Sequence, residues 1–121
     1  MMALTEEQFQ QQIIDLAHLC GWTVAHFRAA MTAKGWRTPV QADGAGFPDL
    51  VMVKTGWDEI EGIDGTADGL VGRLIFAEIK SAKGKVSESQ QAWLSALRCV
   101  DVEVYVWKPS DWERIVQILQ E

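Results

Sequence analysis

Three ionisable residues stand where strand positions would ordinarily be apolar: Asp49 in Gly46-Phe47-Pro48-Asp49-Leu50-Val51, and Glu78 and Lys80 in Phe76-Ala77-Glu78-Ile79-Lys80. Side chains alternate across a strand, so Glu78 and Lys80 project from one face, a single step apart. Desolvating two carboxylates and an ammonium together is costly, which points to a group that binds something there. Hydrolysis of a phosphodiester is the chemistry that fits. It needs an activated water, stabilised charge on the phosphoryl oxygens and help for the departing oxygen, and a divalent metal ion supplies all three. Mg2+ is typically held by one or two carboxylates plus the substrate phosphate, a part Asp49 and Glu78 can fill if they converge at one end of a sheet. Lys80 is placed to orient the attacking water or to neutralise developing charge. Gln90, at the start of the next helix, can hydrogen-bond that water or Lys80.

The elements that must position these residues are readable from periodicity and breakers. Thr5 and Gln8 have capping-box spacing, and Phe9, Ile13, Leu16, Ala17 and Cys20 recur at helical intervals until Gly21. Thr23 to Arg28 has strand character, and Ala29 to Gly44 reads as irregular, with Gly35 and Pro39 as breakers. Leu50 to Val53 is a short apolar strand whose unbroken apolar run predicts burial on both faces. From Lys54 to Gly72 the many Gly and Asp residues predict a long hairpin connection: a lid, a partner contact or an ornament. Leu74 to Lys80 is the clearest strand, followed by a Lys/Gly turn from Ser81 to Val86. Ser87 then caps a helix from Glu88 to Val100, with Ala92, Trp93, Ala96, Leu97 and Val100 as its apolar stripe. Val102 to Trp107 alternates as a strand, and Pro109 and Ser110 open a last helix with Trp112, Ile115, Val116 and Leu119 inside. The order α-β-β-β-α-β-α makes the last strand parallel to the Glu78 strand. The fold class is therefore α/β, a mixed sheet of about four strands flanked by helices.

The chain has 121 residues, enough for one hydrophobic core, so residues 1–121 are expected to be a single domain. Its hydrophobic fraction of 48% supports a packed globule. The N-terminal residues lack the pattern of a signal peptide and no run is apolar enough to span a membrane, so no membrane partner and a cytoplasmic location are expected. Cys20 and Cys99 read as buried free thiols. Trp93, Trp107 and Trp112 fall on core stripes, whereas Trp22, Trp36 and Trp57 are candidate surface anchors.

A formal net charge of −6 argues at first against a nucleic-acid partner, but the distribution matters more than the sum. Leu16 to Ala42 contains no acid, only Arg28, Lys34 and Arg37 with His18 and His26; Lys80, Lys83 and Lys85 form a second basic cluster. The acids gather elsewhere, Asp58, Glu59, Glu61, Asp64 and Asp68 among them. Arg28, Lys34, Arg37, Lys83 and Lys85 are thus candidate phosphate contacts. His26 is more ordinarily a strand histidine than a base.

In order, Phe47-Pro48-Asp49-Leu50, Glu78-Ile79-Lys80 and Gly84-Lys85-Val86-Ser87-Glu88-Ser89-Gln90 resemble the PD-(D/E)xK nuclease superfamily, and most nearly its VRR-NUC branch. The resemblance extends over nearly the whole chain, through the first helix with Glu6, the Gly21-Trp22 turn, His26, the Gln90-Gln91-Ala92-Trp93-Leu94 helix start and the Val104 to Trp107 strand. It implies a restriction-endonuclease-like core, with Asp49, Glu78 and the backbone carbonyl of Ile79 as ligands for Mg2+ or Mn2+. It implies Lys80 as the catalytic lysine, Gln90 as an auxiliary polar residue, and Glu6, or its neighbour Glu7, as the acid of the first helix. The implied activity is a metal-dependent DNA endonuclease acting on branched or junction DNA as a homodimer, of phage or bacterial type. Alternatives are a non-catalytic DNA-binding or assembly module of the same fold and a metal-dependent RNA nuclease. The acidic stretch 57–69 is longer than a simple turn between the signature strands and is a candidate contact for a protein partner.

Overall fold

A computed structural model describes residues 3–27, 30–32, 35–37, 40–60 and 67–121, with the backbone alone described at 30–32, 35–37, 57–60 and 67–70. Helix α1, Glu6–Leu19, begins at a capping box: Thr5 Oγ1 accepts from the Gln8 amide and Gln8 Oε1 accepts from the Thr5 amide, both at 3.0 Å. Phe9, Ile13, Ile14 and Ala17 form its buried stripe. The chain then turns through Gly21, at φ +87°, into β1, Thr23–His26. Strands β2, Ala30–Thr32, and β3, Gly35–Arg37, pair as a small antiparallel hairpin within the segment expected to be irregular. A ladder of three residue pairs is too short to impose a readable period on a sequence.

The main sheet has the order β1-β4-β5-β6, where β4 is Leu50–Ile60, β5 is Ala67–Ile79 and β6 is Glu103–Trp107. β1, β4 and β5 are antiparallel neighbours, and β6 lies parallel to β5 across the crossover helix α2, Glu88–Arg98. This is the mixed four-strand sheet flanked by helices that the element order predicts. Met52, Leu50, Ile75, Ala77, Ile79 and Trp107 face α1 and the last helix α3, Trp112–Gln120, and form the core with Phe9, Ile13, Ile115 and Leu119. The alternate residues of β4 and β5, including Phe76 and Glu78, face the α2 side.

The largest departure from expectation lies between Lys54 and Gly72. β4 and β5 stay in antiparallel register from Leu50 opposite Ala77 to Ile60 opposite Ala67, so most of the expected open connection is paired strand. β1 pairs only with Leu50 to Val53, and β6 only with Ile75 to Ile79. The rest of the hairpin is a two-stranded ribbon, and pairing of two strands does not by itself impose the alternation that burial of one face produces. Glycines and acids persist there for that reason. At about 3.4 Å per residue the paired strands run tens of ångströms from the Leu50–Ala77 pair to the Ile60–Ala67 pair, away from Asp49 and Lys80. Glu61 and Asp64 lie outside the described residues.

Smaller corrections have similar causes. Val51 is half-buried and Val53 41% exposed, so the apolar run of β4 is buried on one face only; α2 covers just part of the other. On α2 the inward residues are Gln90, Trp93, Leu94 and Leu97, while Ala92, Ala96 and Val100 face solvent. Trp22 is buried rather than a surface anchor, its Nε1 donating to the Leu119 carbonyl at 2.9 Å. Cys20 is half-buried and Cys99 exposed, both free. The side chains of Trp36 and Trp57 lie outside the described residues.

Candidate active site

Asp49 reaches its place on a loop held against the first turn of α2. Gly46 has φ +83°, and a Cβ there would sit 2.4–2.6 Å from backbone atoms of Ser89 and Gln90. Both the conformation and the closeness require glycine. The next residue, Phe47, packs edge-on against Phe27, Phe76 and Trp93 at centroid distances of 5.2, 6.1 and 5.0 Å. Trp93 Nε1 donates to the Asp43 carbonyl at 3.0 Å, fastening the loop at a second point. Pro48 is fully buried, and the Phe27 amide donates to the Asp49 carbonyl at 3.1 Å, extending the β1–β4 ladder by one residue.

Asp49 then crosses to β5, where its Oδ2 accepts from the Ile79 amide at 2.9 Å. A strand residue turns its N–H and C=O to the same edge, so the Ile79 carbonyl faces the Asp49 side as well. The Lys80 amide faces the opposite edge and donates to the Trp107 carbonyl at 2.9 Å. Glu78 follows Ala77, whose register partner Leu50 follows Asp49, and it is 1% exposed.

Glu78 Oε1 accepts from Gln90 Nε2 at 3.0 Å and pairs with Lys80 Nζ at 3.5 Å. Lys80 is itself buried, at 8% exposure. The Gln90 amide has its orientation fixed by a helix cap: its Oε1 accepts from the Ser87 amide at 2.9 Å, which leaves the NH2 for Glu78. Ser87 Oγ completes the capping box by accepting from the Gln90 amide. Glu78 Oε2 is buried and has no hydrogen-bond partner among the described residues. Burial, and then the adjacent Asp49 carboxyl, push the Glu78 pKa up to about 8 against the opposing pull of Lys80.

A hard divalent cation suits this arrangement. Two carboxyl groups converge with a backbone carbonyl turned to the same side, all oxygen donors, and one carboxylate oxygen lacks any donor. An orphaned buried acceptor costs free energy that a bound cation would return.

The structure thus brings Asp49, Glu78, Ile79, Lys80 and Gln90 together. Glu6 is the first residue of α1 and exposed, and Glu7 beside it is exposed as well. Among the described residues no three of His, Cys, Asp and Glu gather closely enough to hold a metal, so Asp49 and Glu78 stand as a pair. Lys83 and Lys85 are exposed in the turn between β5 and α2, at the same sheet end as Lys80. Arg28 and Lys34, with the side chain of Arg37, lie outside the described residues. The cluster of Phe27, Phe47, Phe76 and Trp93, and the cap that orients Gln90, are parts of the site that the motif residues alone did not reveal. Ser87 three residues before Gln90 was the available signal for the cap.

A family model described as the VRR-NUC domain matches residues 3–111 of the chain. No curated protein and no solved structure gives a significant match.

Proposed function

The chain belongs to the VRR-NUC family, a nuclease-type domain, and from that membership and its carboxylate pair we propose that it hydrolyses DNA phosphodiester bonds with Mg2+ or Mn2+. The observation that carries the reading is Glu78: a buried carboxyl beside Asp49, with one oxygen unpartnered among the described residues and a buried lysine on the other. A purely structural role would not retain such a group, because apolar replacements of similar volume are commonly neutral or stabilising.

Asp49, Glu78 and the Ile79 carbonyl are the groups that would hold the cation. When bound, a divalent cation supplies Lewis-acid polarisation of the phosphoryl oxygens and acidifies water at the site. The chain's own residues do the rest. Asp49 ties the ends of β4 and β5 and keeps its carboxyl beside Glu78. Gln90 and Lys80 hold Glu78 by Oε1 and so direct Oε2 toward the site. Lys80 also brings a fixed positive charge to the place where the phosphoryl group gains negative charge. Glu6, at the N-terminal turn of α1, is the acid that would join from the helix side. Lys83 and Lys85, with Arg28, Lys34 and Arg37, would contact backbone phosphates. Action on branched DNA as a homodimer follows from the family resemblance and from the small duplex footprint of one such domain; two copies related by a dyad engage two strands.

The test is cleavage of plasmid, single-stranded, flap and four-way-junction DNA, and of RNA, with Mn2+ and with chelator. Wild type is expected to cut at least one DNA substrate only with metal, and Lys80→Ala to cut it at least about a hundredfold more slowly, the scale of a lost charge-stabilising group. If wild type and Lys80→Ala leave every DNA equally uncut, the reading is lost. Cleavage of RNA alone would select an RNA nuclease.

A further inference from the structure

His26 closes β1 opposite Leu50, the residue after Asp49, and is exposed. The amide of the following residue, Phe27, bonds the Asp49 carbonyl, so His26 stands at the same end of the sheet as the carboxylate pair, one strand away, with its side chain on the α1 face that Leu50 shares. Gln10 Nε2, from α1, lies 3.3 Å from His26 Nδ1. With the Gln10 NH2 turned to it, Nδ1 accepts, and this contact favours the tautomer whose N–H is Nε2, the ring nitrogen remote from the backbone. The result is an exposed N–H donor at the sheet end that carries the site. His26 also lies within the acid-free stretch Leu16 to Ala42, so no carboxylate of that segment competes for the donor. β1 leads from this point into the segment that carries Arg28, Lys34 and Arg37.

We propose that His26 donates through Nε2 to a non-scissile phosphate of the bound nucleic-acid strand, and that Gln10 is the positioning residue that holds its ring. The assignment rests on the nuclease reading and adds a contact to it. Phosphate oxygens are acceptors only, and an imidazole N–H is a donor that meets them. The contact is made equally in ground and transition states, so it governs binding and KM rather than kcat.

The experiment compares wild type with His26→Ala, His26→Gln, Gln10→Ala and the double variant Gln10→Ala/His26→Ala. Affinity for a fluorescein-labelled four-way junction is read by anisotropy in Ca2+, and steady-state cleavage of the DNA that wild type cuts is read in Mn2+. Thermal melts verify folding, which an exposed histidine should not disturb. His26→Ala is expected to raise Kd and KM about tenfold, a single hydrogen bond to a charged group, with kcat within about twofold. His26→Gln, which keeps an N–H donor, should recover part of the loss. Gln10→Ala should raise KM by a smaller factor, and the double variant should be no worse than His26→Ala. Unchanged Kd and KM in His26→Ala, with wild type active, overturns the His26 assignment and leaves the nuclease reading intact. A hundredfold fall in kcat at constant KM overturns it in favour of a catalytic base. Wild type that neither binds nor cuts any nucleic acid overturns both.

Discussion

Glu78 offers a direct test of the electrostatic account, because its cost can be measured without any substrate. Its pKa in the folded protein is about 8 against an ordinary 4.5. Below the ordinary value the carboxyl is protonated in both folded and unfolded chains and costs nothing. Between the two values the folded chain binds more protons than the unfolded one, so stability falls as pH rises. At about 1.4 kcal/mol per pH unit, the gap sets a ceiling of about 5 kcal/mol for the metal-free protein above pH 8. Water entry and small movements of Asp49 and Lys80 lower this, and about 2 kcal/mol is a realistic expectation. For a domain of 121 residues that amounts to about 6–10 °C in Tm.

The assay is thermal melting of wild type and Glu78→Gln in chelator from pH 5 to pH 9. Glutamine keeps the volume of the side chain and an acceptor for Gln90. Its replacement also removes the counter-charge beside Lys80, which changes the level of the melting profile, so the size of the difference at one pH is not the test. The slope of the difference is the measurement: wild type should lose about 6–10 °C relative to Glu78→Gln between pH 5 and pH 8.5. Adding Mn2+ at pH 8 should return the lost stability to wild type and do little for Glu78→Gln. Two melting profiles that run parallel across the whole range would refute the claim that Glu78 is a carboxyl held in a site that disfavours its charge.

Three further outcomes follow from the surrounding structure. Gly46→Ala forces a methyl group to within 2.4–2.6 Å of the Ser89 and Gln90 backbone at φ +83°, and should cost at least about 2 kcal/mol by urea midpoint and weaken Mn2+ binding by displacing Asp49. Ser87→Ala removes the α2 cap and should cost about 1 kcal/mol, with a larger loss of cleavage rate than of stability because the Gln90 amide loses its fixed orientation. Arg73→Met breaks the two-pronged contact with Glu103, at 2.8 and 2.6 Å, and the 2.9 Å bond to the Ile118 carbonyl, and should cost about 1–3 kcal/mol with cleavage unchanged. Because Arg73 holds the Glu103 pKa down, the Arg73→Met penalty should shrink as pH falls through that lowered value.

How far the sequence disclosed this molecule depends on whether a residue's burden was local or shared. Asp49, Glu78 and Lys80 were legible because each violates the economics of an apolar strand, and a violation is visible one residue at a time. The helices and the parallel return of β6 were legible because burial imposes a period. The ribbon beyond Lys54 was not, since a two-stranded ladder satisfies its backbone by pairing, and pairing alone imposes no apolar alternation on a sequence. The outward turn of Ala92 and Ala96 was hidden for a related reason. The small hydrophobics of α2 carry too little apolar area to fix a helix face, and Trp93 and Leu94 decide it instead.

The assembly of the site was the least legible part, because it consists of contacts between segments that each look ordinary. Gly46 is one glycine among the 10 of the chain, and Ser87 and Gln90 form a cap of a common kind. Their meaning comes from one juxtaposition: the loop that delivers Asp49 rests on the helical turn whose cap aims Gln90 at Glu78. A shift of the loop moves Asp49 and that turn together, and the turn carries the donor that occupies Glu78 Oε1. The two carboxyl groups are therefore positioned as a unit, although 29 positions of the sequence separate them, and Phe47 packed among Phe27, Phe76 and Trp93 gives that unit its rigidity. Preorganisation of this kind holds the two carboxyl groups beside each other against the cost of burying them together. Substitutions at Gly46 and Ser87 should accordingly act on cation binding through geometry, without removing a single ligand oxygen.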